Sequence, residues 1–331
     1  MTASIAHSPA GGVTPMQHRN VLVLGGSGFI GRGIVNRLVA RGCRVLVPSR
    51  RRDHAKHLIM LPTVDVVDAN LHDDATLDRL VDGQDAVINL VGILQGRQAD
   101  FDRAHAELPR RVLAACARHG VGRYVHMSAL GADVNGPSMY LRSKGAGEAA
   151  VRAAALHWTI FQPSVVFGPG DRFLNTFAGL AKIAPFFPLA GADVKFQPVW
   201  VDDVADAFVN SLDNAATFGR TYVLAGPRVY TLRELVAFAA QASGHPRPIV
   251  ALPAGLARLQ ARLMELAPGE PMMSRDNLDS MQRDNIAPVQ PFTPAPELGI
   301  AHTPMEPEAA LYLAGLHPRT RFAGFRARAR R

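Results

Sequence analysis

The 331-residue sequence predicts an α/β fold: a Rossmann-type, doubly wound parallel sheet with a smaller C-terminal α/β part on the substrate side. Three observations predict it. Short apolar runs alternate with segments of helical period through the first half of the chain, the pattern of a parallel sheet covered on both faces. A glycine-rich turn, LGGSGFIG at residues 24–31, lies between the first apolar run and the first helical segment. After about residue 170 the rhythm gives way to prolines, phenylalanines and short helices.

Val21–Leu24 forms the first strand, and Ile34, Val35, Leu38 and Val39 recur at helical spacing, with Gly42 placed to end that helix. Further strands are expected at 44–49 (RVLVPS), 64–70 (VDVVDAN), 85–92 (DAVINLVG), 123–129 (RYVHMSA) and 158–168 (WTIFQPSVVFG). Helices fall at 77–81, 108–121 and 140–157, and later at 231–243 and 254–267. The chain divides into a disordered lead-in at 1–19, a dinucleotide-binding domain at 20–170 and a basic tail at 319–331. Between the last two, residues 171–318 form an interleaved part that completes the sheet and covers its substrate side, the C-terminal edge where ligands bind in open α/β sheets.

Composition narrows the function classes. The net charge is +8, but residues 319–331 hold six arginines and no acid, so the body is nearly neutral. No basic sheet studded with aromatics and no recognition helix is present, which argues against nucleic acid. The tail instead suits a solvated end, or contact with anionic lipid or an acidic partner. The two cysteines, Cys43 and Cys116, match no zinc or redox spacing, as expected for a reduced compartment. No apolar run approaches the ~18 residues of a membrane span, and the first 19 residues lack a signal-peptide pattern. A cytoplasmic protein is expected, with peripheral placement at the inner face of the membrane open to it.

The glycine loop carries the cofactor expectation. Gly25 permits a tight turn, Gly28 lets the backbone approach a pyrophosphate, and Gly31 lets the helix pack close to the strand. The intervening Ser27, Phe29 and Ile30 present the loop backbone to the anion at the helix start. An NAD(H) site wants an acid after the second strand; here Arg50, Arg51 and Arg52 precede the first acid, Asp53. A guanidinium at that place pairs with a 2′-phosphate, so NADP(H) is favoured and Arg50, nearest the strand end, is the candidate. Asp68 and Asn70 end the third strand where adenine would lie, and Asn89, Val91 and Gly92 end the fourth beside the cofactor. Each of these is also an ordinary turn residue type. Pro163 and Val165, within the sixth expected strand, complete the candidate cofactor set.

Chemistry is suggested by Tyr140 and Lys144, spaced i and i+4 on one helix face, with Ser128 ending the fifth strand. The phenol would exchange a proton with a substrate oxygen, the lysine would lower the phenol pKa and bind the nicotinamide ribose, and the serine would hold the oxygen. Glu148 reads as a surface ion-pair partner of this helix. Asp202 and Asp203 read as helix N-terminal residues. His54 and His57 lack a third ligand, so no metal site is expected. Phe173, Phe177, Phe186 and Phe187 lie in a nearly uncharged stretch and read as core or, more sharply, as a pocket for a small apolar substrate. The stretch at 254–267 is amphipathic and reads as packed on its own body, with a partner or membrane surface as the other possibility.

The glycine loop, Ser128 and Tyr140-x-x-x-Lys144 resemble the short-chain dehydrogenase/reductase superfamily in its extended form. The closer resemblance is to an atypical branch, the NADPH-binding accessory subunits of the alpha subcomplex of respiratory complex I and their bacterial relatives. It rests on INLVG, YLRSKGAGE, DRFLNTFA, QPVWVDDVA, AGPRVYTLRELV, EPMMSRDNLDSMQRDN and ELGIAHTPMEP. The resemblance implies firmly bound NADPH with Arg50 on its 2′-phosphate, and a Tyr/Lys pair present with or without turnover. Two functions follow: an NAD(P)H-dependent oxidoreductase on an apolar carbonyl or quinone-like substrate, or a non-catalytic NADPH-loaded accessory or assembly protein. A nucleotide-sugar epimerase or dehydratase fits less well. Ala129 and Leu130 follow the serine, and Gln162 and Ser164 stand where those enzymes carry other residues.

Overall fold

The computed structural model describes residues 16–266, 269 and 271–315. Seven parallel strands form the central sheet: β1 (Asn20–Leu24), β2 (Arg44–Ser49), β3 (Val64–Asp68), β4 (Ala86–Asn89), β5 (Arg123–Met127), β6 (His157–Pro163) and β7 (Arg220–Leu224). Their spatial order is 7-6-5-4-1-2-3. The order reverses between β1 and β4, which opens a crevice at their C-terminal ends.

The period of two along each strand sorts side chains between two cores. Val21, Val23, Val45, Val47 and Val125 face one layer with α1 (Gly31–Ala40) and α6 (Val201–Ser211). Leu22, Leu24, Val87 and Tyr124 face the other, with α2 (Asp74–Val81) and α3 (Leu108–His119). Helix α1 ends at Gly42, in the left-handed region at φ +81°, with its N–H donating to the Val39 carbonyl. Helix α4 (Met139–Arg152) starts at Ser138, whose hydroxyl accepts the Leu141 N–H.

A third core belongs to the C-terminal part. It joins Phe167, Phe187, Phe196 and Tyr230 with α5 (Leu174–Ala181), α7 (Leu232–Ala242) and α10 (Met305–Ala314). Two further helices, α8 (Ala254–Leu266) and α9 (Arg275–Ser280), lie between α7 and α10. The same C-terminal half supplies β7 and α6 to the main sheet.

Three expectations are corrected. The expected strand at 158–168 breaks at Ser164: the Ser164 hydroxyl donates to Asn285, the Val165 N–H donates to the Asn285 side-chain carbonyl, and Val166–Phe167 pair instead with Val199–Trp200. The helix expected at 140–157 ends at Arg152, and His157 already belongs to β6. Residues 16–19 of the expected disordered lead-in are placed, because the Gln17 and His18 N–H groups donate to Asp213, the Arg19 N–H donates to Asp85, and Met16 is buried. The basic tail lies outside the described residues.

At the N-terminal end of the sheet, the guanidinium of Arg123 is buried among carbonyls. Its Nε donates to Leu212 O at 2.9 Å, Nη1 to His157 O at 2.7 Å and Nη2 to Ser211 O at 2.8 Å, and its plane covers the Phe218 ring. Burial brings its pKa down to about 9. Replacing Arg123 with Met leaves these carbonyls unpaired and is expected to cost about 3–5 kcal/mol, read as a lower denaturant midpoint. A midpoint within error of the parent would show that the carbonyls find other donors.

Candidate functional site

The glycine loop is built for close approach. Gly25 has φ +80°, and a side chain at Gly31 would lie 2.4 Å from the Gly25 carbonyl. The turn is closed by the Gly28 N–H donating to Gly25 O at 3.0 Å. The N–H groups of Phe29 and Ile30 donate to no acceptor among the described residues, so they are available to an anion at the start of α1. Ser27 and Gly28 flank them on the same partly exposed turn.

Beyond β2, Arg50, Arg51, Arg52 and Asp68 line a cavity of about 400 Å³. The loop is held by the Ser49 hydroxyl, which donates to Arg51 O, and by Asp68, whose carboxylate accepts the Arg52 N–H at 2.9 Å. Asp68 thus shapes the arginine loop. Asn70 acts locally, accepting the His72 N–H. Asn89 is wholly buried: its amide donates to the Tyr124 hydroxyl and its carbonyl accepts the Val91 N–H. It sets the path of the backbone through Val91 and Gly92. Pro163 O accepts the Leu130 N–H, and Val165 is bonded to Asn285 and Val199.

Helix α4 brings Tyr140 and Lys144 to the end of β5. Small residues on its inner face allow this, since a side chain at Gly147 would lie 2.1 Å from the His105 carbonyl. Lys144 is buried and its ammonium donates to Met127 O at 3.1 Å, one residue before Ser128. Burial, partly offset by the Glu148 carboxylate, brings its pKa down to about 8. The Ser128 hydroxyl is buried without a hydrogen-bond partner among the described residues. Tyr140 is partly exposed, and desolvation pushes its pKa up to about 12. The expected lowering of that pKa by Lys144 is corrected here, because the ammonium is directed to the Met127 carbonyl. Glu148 forms the expected ion pair, with Arg152 at 2.6 Å, but its surface placement is corrected: it is buried and also accepts from Gln162 at 2.7 Å.

Four residues that sequence reasoning passed over join this site. His105 is buried on a π-helical turn (Arg103–Glu107). Its Nε2 accepts the Ile93 N–H at 3.0 Å. The Ser143 hydroxyl donates to Tyr140 O, so His105 Nδ1–H is the donor to Ser143 Oγ at 2.8 Å. His126, on β5, is buried with neither ring nitrogen bonded. Desolvation, aided by the Lys144 charge, brings the pKa of His105 down to about 2 and that of His126 to about 3. Asp276, from α9, accepts the Met139 and Tyr140 N–H groups at 2.6 and 3.1 Å, completing the start of α4. Asn285 latches the Ser164 bend. The stretch SRDNLDSMQRDN was the signal for both, without a partner in view.

A second cavity, of about 440 Å³, lies at this end of α4, lined by Gly96, Phe101, Met139, Arg142, Arg258 and Asp276, among others. The Phe101 ring centroid is 6.2 Å from that of Tyr140. The apolar pocket weighed at 173–187 is not formed: Phe173, Phe177 and Phe187 pack in the C-terminal core and Phe186 is exposed. Asp203 bonds Thr303 and Asp202 pairs with Arg37 at the start of α6. Among the described residues no group of three or more metal-ligating side chains occurs, and no helix is long and apolar enough to cross a membrane.

Residues 21–225 match the model of the NAD dependent epimerase/dehydratase family. The chain is 36% identical over 239 residues to "NADH dehydrogenase [ubiquinone] 1 alpha subcomplex subunit 9, mitochondrial" of Arabidopsis thaliana, covering 70% of this chain and 60% of that protein. With the same subunit of Mus musculus the identity is 31% over 291 residues, covering 86% of this chain and 77% of that one. The chain thus spans less than two thirds of the Arabidopsis protein. A ceramide reductase of Caulobacter vibrioides is 32% identical over 243 residues, covering 70% and 73%. Among solved structures, an NADPH-dependent quinone oxidoreductase of Escherichia coli complexed with NADPH superposes with a TM-score of 0.71 at 19% identity, covering 88% and 99%.

The two histidines yield a pH dependence. Unfolded, they take up protons near pH 6.5; folded, they stay neutral to about 3 and about 2. The unfolded chain therefore binds more protons, and stability falls as pH drops from about 6.5 toward about 5. A His126→Phe variant is expected to flatten that slope in denaturant titrations. An unchanged slope would place the acid sensitivity elsewhere.

Proposed function

The chain belongs to the NAD dependent epimerase/dehydratase family, and on that premise we propose that it binds NADP(H) and acts as an oxidoreductase on a carbonyl of an apolar or quinone-like substrate. The observation that carries the reading is the buried Ser128 hydroxyl, unpartnered at the end of β5 and one residue from the carbonyl that anchors Lys144. An orphaned buried donor costs about 1–3 kcal/mol, and a substrate oxygen would satisfy it.

The glycine turn fits a pyrophosphate through the Phe29 and Ile30 N–H groups and the close approach at Gly31. The cavity lined by Arg50, Arg51 and Arg52 suits a 2′-phosphate rather than a free ribose hydroxyl pair. A bound dinucleotide would supply or accept a hydride. Ser128 would hold the substrate oxygen, and the Tyr140 phenol, protonated at neutral pH, would donate a proton to it in the reductive direction. Lys144 would fix the cofactor side of the site with its ammonium against Met127 O. The charged side chains around the second cavity would keep its mouth wet, while Phe101 and Met139 present the apolar wall near Tyr140. The similarity to a ceramide reductase supports a reductase acting on an apolar molecule.

A non-catalytic, NADP(H)-loaded accessory role in a respiratory assembly is the second reading. It is favoured by Tyr140 and Lys144 being uncoupled, the phenol pKa pushed up rather than down, and by the similarity to the alpha subcomplex subunit.

Two variants test the proposal. Arg50→Ala is expected to weaken NADPH binding about 10- to 100-fold, the worth of one charged hydrogen bond, with NADH affinity unchanged. Equal loss for both nucleotides would remove the 2′-phosphate assignment. Tyr140→Phe is expected to lower carbonyl reduction by about 10²- to 10⁴-fold with NADPH affinity retained; a wild-type rate would remove Tyr140 as the proton donor, and absence of reduction by the parent protein would leave the accessory role.

A further inference from the structure

Helix α8 carries an apolar stripe that faces away from the protein. Leu256, Leu259, Leu263 and Leu266 recur at spacings of three and four and are 54%, 52%, 60% and 76% exposed. The opposite face packs inward through Ala257 and Ala261, both buried. This is the reverse of the expectation that the segment packs its apolar face on its own body, because the inward positions are alanines and the leucines are left outside.

The surroundings extend the surface. Gln260 donates to the Pro188 carbonyl at 3.4 Å, which sets α8 beside the short strand Phe187–Leu189. Pro188 is exposed and pairs with Val250, itself exposed, in the neighbouring strand Ile249–Ala251. Ile183 and Phe186, just before Phe187, are exposed as well. The leucine stripe offers a partner no hydrogen-bonding group.

Its border is cationic. Arg262 follows the leucines along one side of α8 and is exposed, while Arg258, toward the inner side, pairs with Asp279 at 3.6 Å. Lys182 adjoins Ile183, and Arg247 precedes the Ile249–Ala251 strand. Glu265, the acid of this helix, is turned to Arg275 at 2.8 Å. Leucines outward, basic side chains at the polar boundary and the helix's own acid paired are what a helix lying in a lipid interface requires, since apolar burial and attraction to anionic headgroups then add.

We infer that α8, with the Ile183–Phe186 and Val250 surface, seats this protein on an anionic bilayer. The inference is independent of turnover at Ser128 and Tyr140. It has a structural consequence, however: Arg258 and Glu265 on the inner side of α8 also line the cavity beside Tyr140, so a chain seated through its leucines holds that cavity next to the lipid.

The test is co-sedimentation of the full chain with phosphatidylcholine vesicles, with and without phosphatidylglycerol. Binding is expected only with phosphatidylglycerol and is weakened by added salt. The pair Leu259→Glu and Leu263→Glu should weaken it at least about tenfold while leaving the unfolding temperature and nucleotide affinity unchanged. Unaltered binding by that double variant would put the attraction elsewhere, in the arginine tail, and overturn the inference. So would failure to bind anionic vesicles, including the case in which the leucines instead drive self-association in sedimentation velocity. Should the double variant fold poorly, Leu263→Trp reads the same contact: its emission should shift to the blue on adding phosphatidylglycerol vesicles, and an unshifted spectrum would contradict it.

Discussion

The close seating of the Met139–Arg152 helix against the sheet is the constraint on which the rest of the site depends. A side chain at Gly147 would overlap the His105 carbonyl, and one at Gly145 would meet the Asp133–Val134 backbone at 2.5 Å. At that distance Lys144 reaches the backbone of β5 rather than solvent, and Tyr140 comes beside Phe101 and His105. The start of the helix is fixed from two directions, by Ser138 within the chain segment and by Asp276 from the C-terminal part. The C-terminal part is therefore more than a cover: it supplies two acceptors to the helix that carries the phenol and the ammonium.

The electrostatics follow from that seating. Two neutral imidazoles, a buried ammonium and a buried carboxylate share the interior around α4, and each is accommodated differently. Glu148 is matched by Arg152 and Gln162, and Lys144 by the Met127 carbonyl and the charge of Glu148. His105 is held neutral in one tautomer by a chain that runs from the Ile93 N–H to the Tyr140 carbonyl through Ser143. That chain ties the loop after β4 to α4. Among the described residues at this end, the buried Ser128 hydroxyl and the His126 ring are left without hydrogen-bond partners.

Local features were legible in the sequence; long-range pairings were not. The first strand, its glycine turn and the first helix are set within about twenty residues by apolar period and by turns that only glycine tolerates. The three arginines after β2 stood out because they precede the first acid, Asp53. Ser128 and the Tyr140–Lys144 spacing were readable as a pattern, yet the pattern carries no information on where the ammonium points. Glu148 looked solvated because its partner Gln162 lies on β6, outside its own helix. Asp276 and Asn285 meet their partners across more than a hundred residues, and His105 joins the site through a π-turn that no periodicity announces. The strand break at Ser164 was hidden for the same reason: Val165 to Phe167 are apolar enough to continue the strand, and only Asn285 diverts them.

The most direct test of the central claim, a dinucleotide site of NADP(H) type serving a reaction, is to identify the nucleotide that the purified protein carries and to follow its exchange. The protein would be denatured, the released nucleotide separated, and a native portion mixed with labelled NADP⁺. The account predicts NADP(H), exchanging with the added label, as turnover requires. Release of NAD(H) would contradict the role of Arg50, and NADPH that resists exchange would contradict turnover and leave the nucleotide a structural element of the fold.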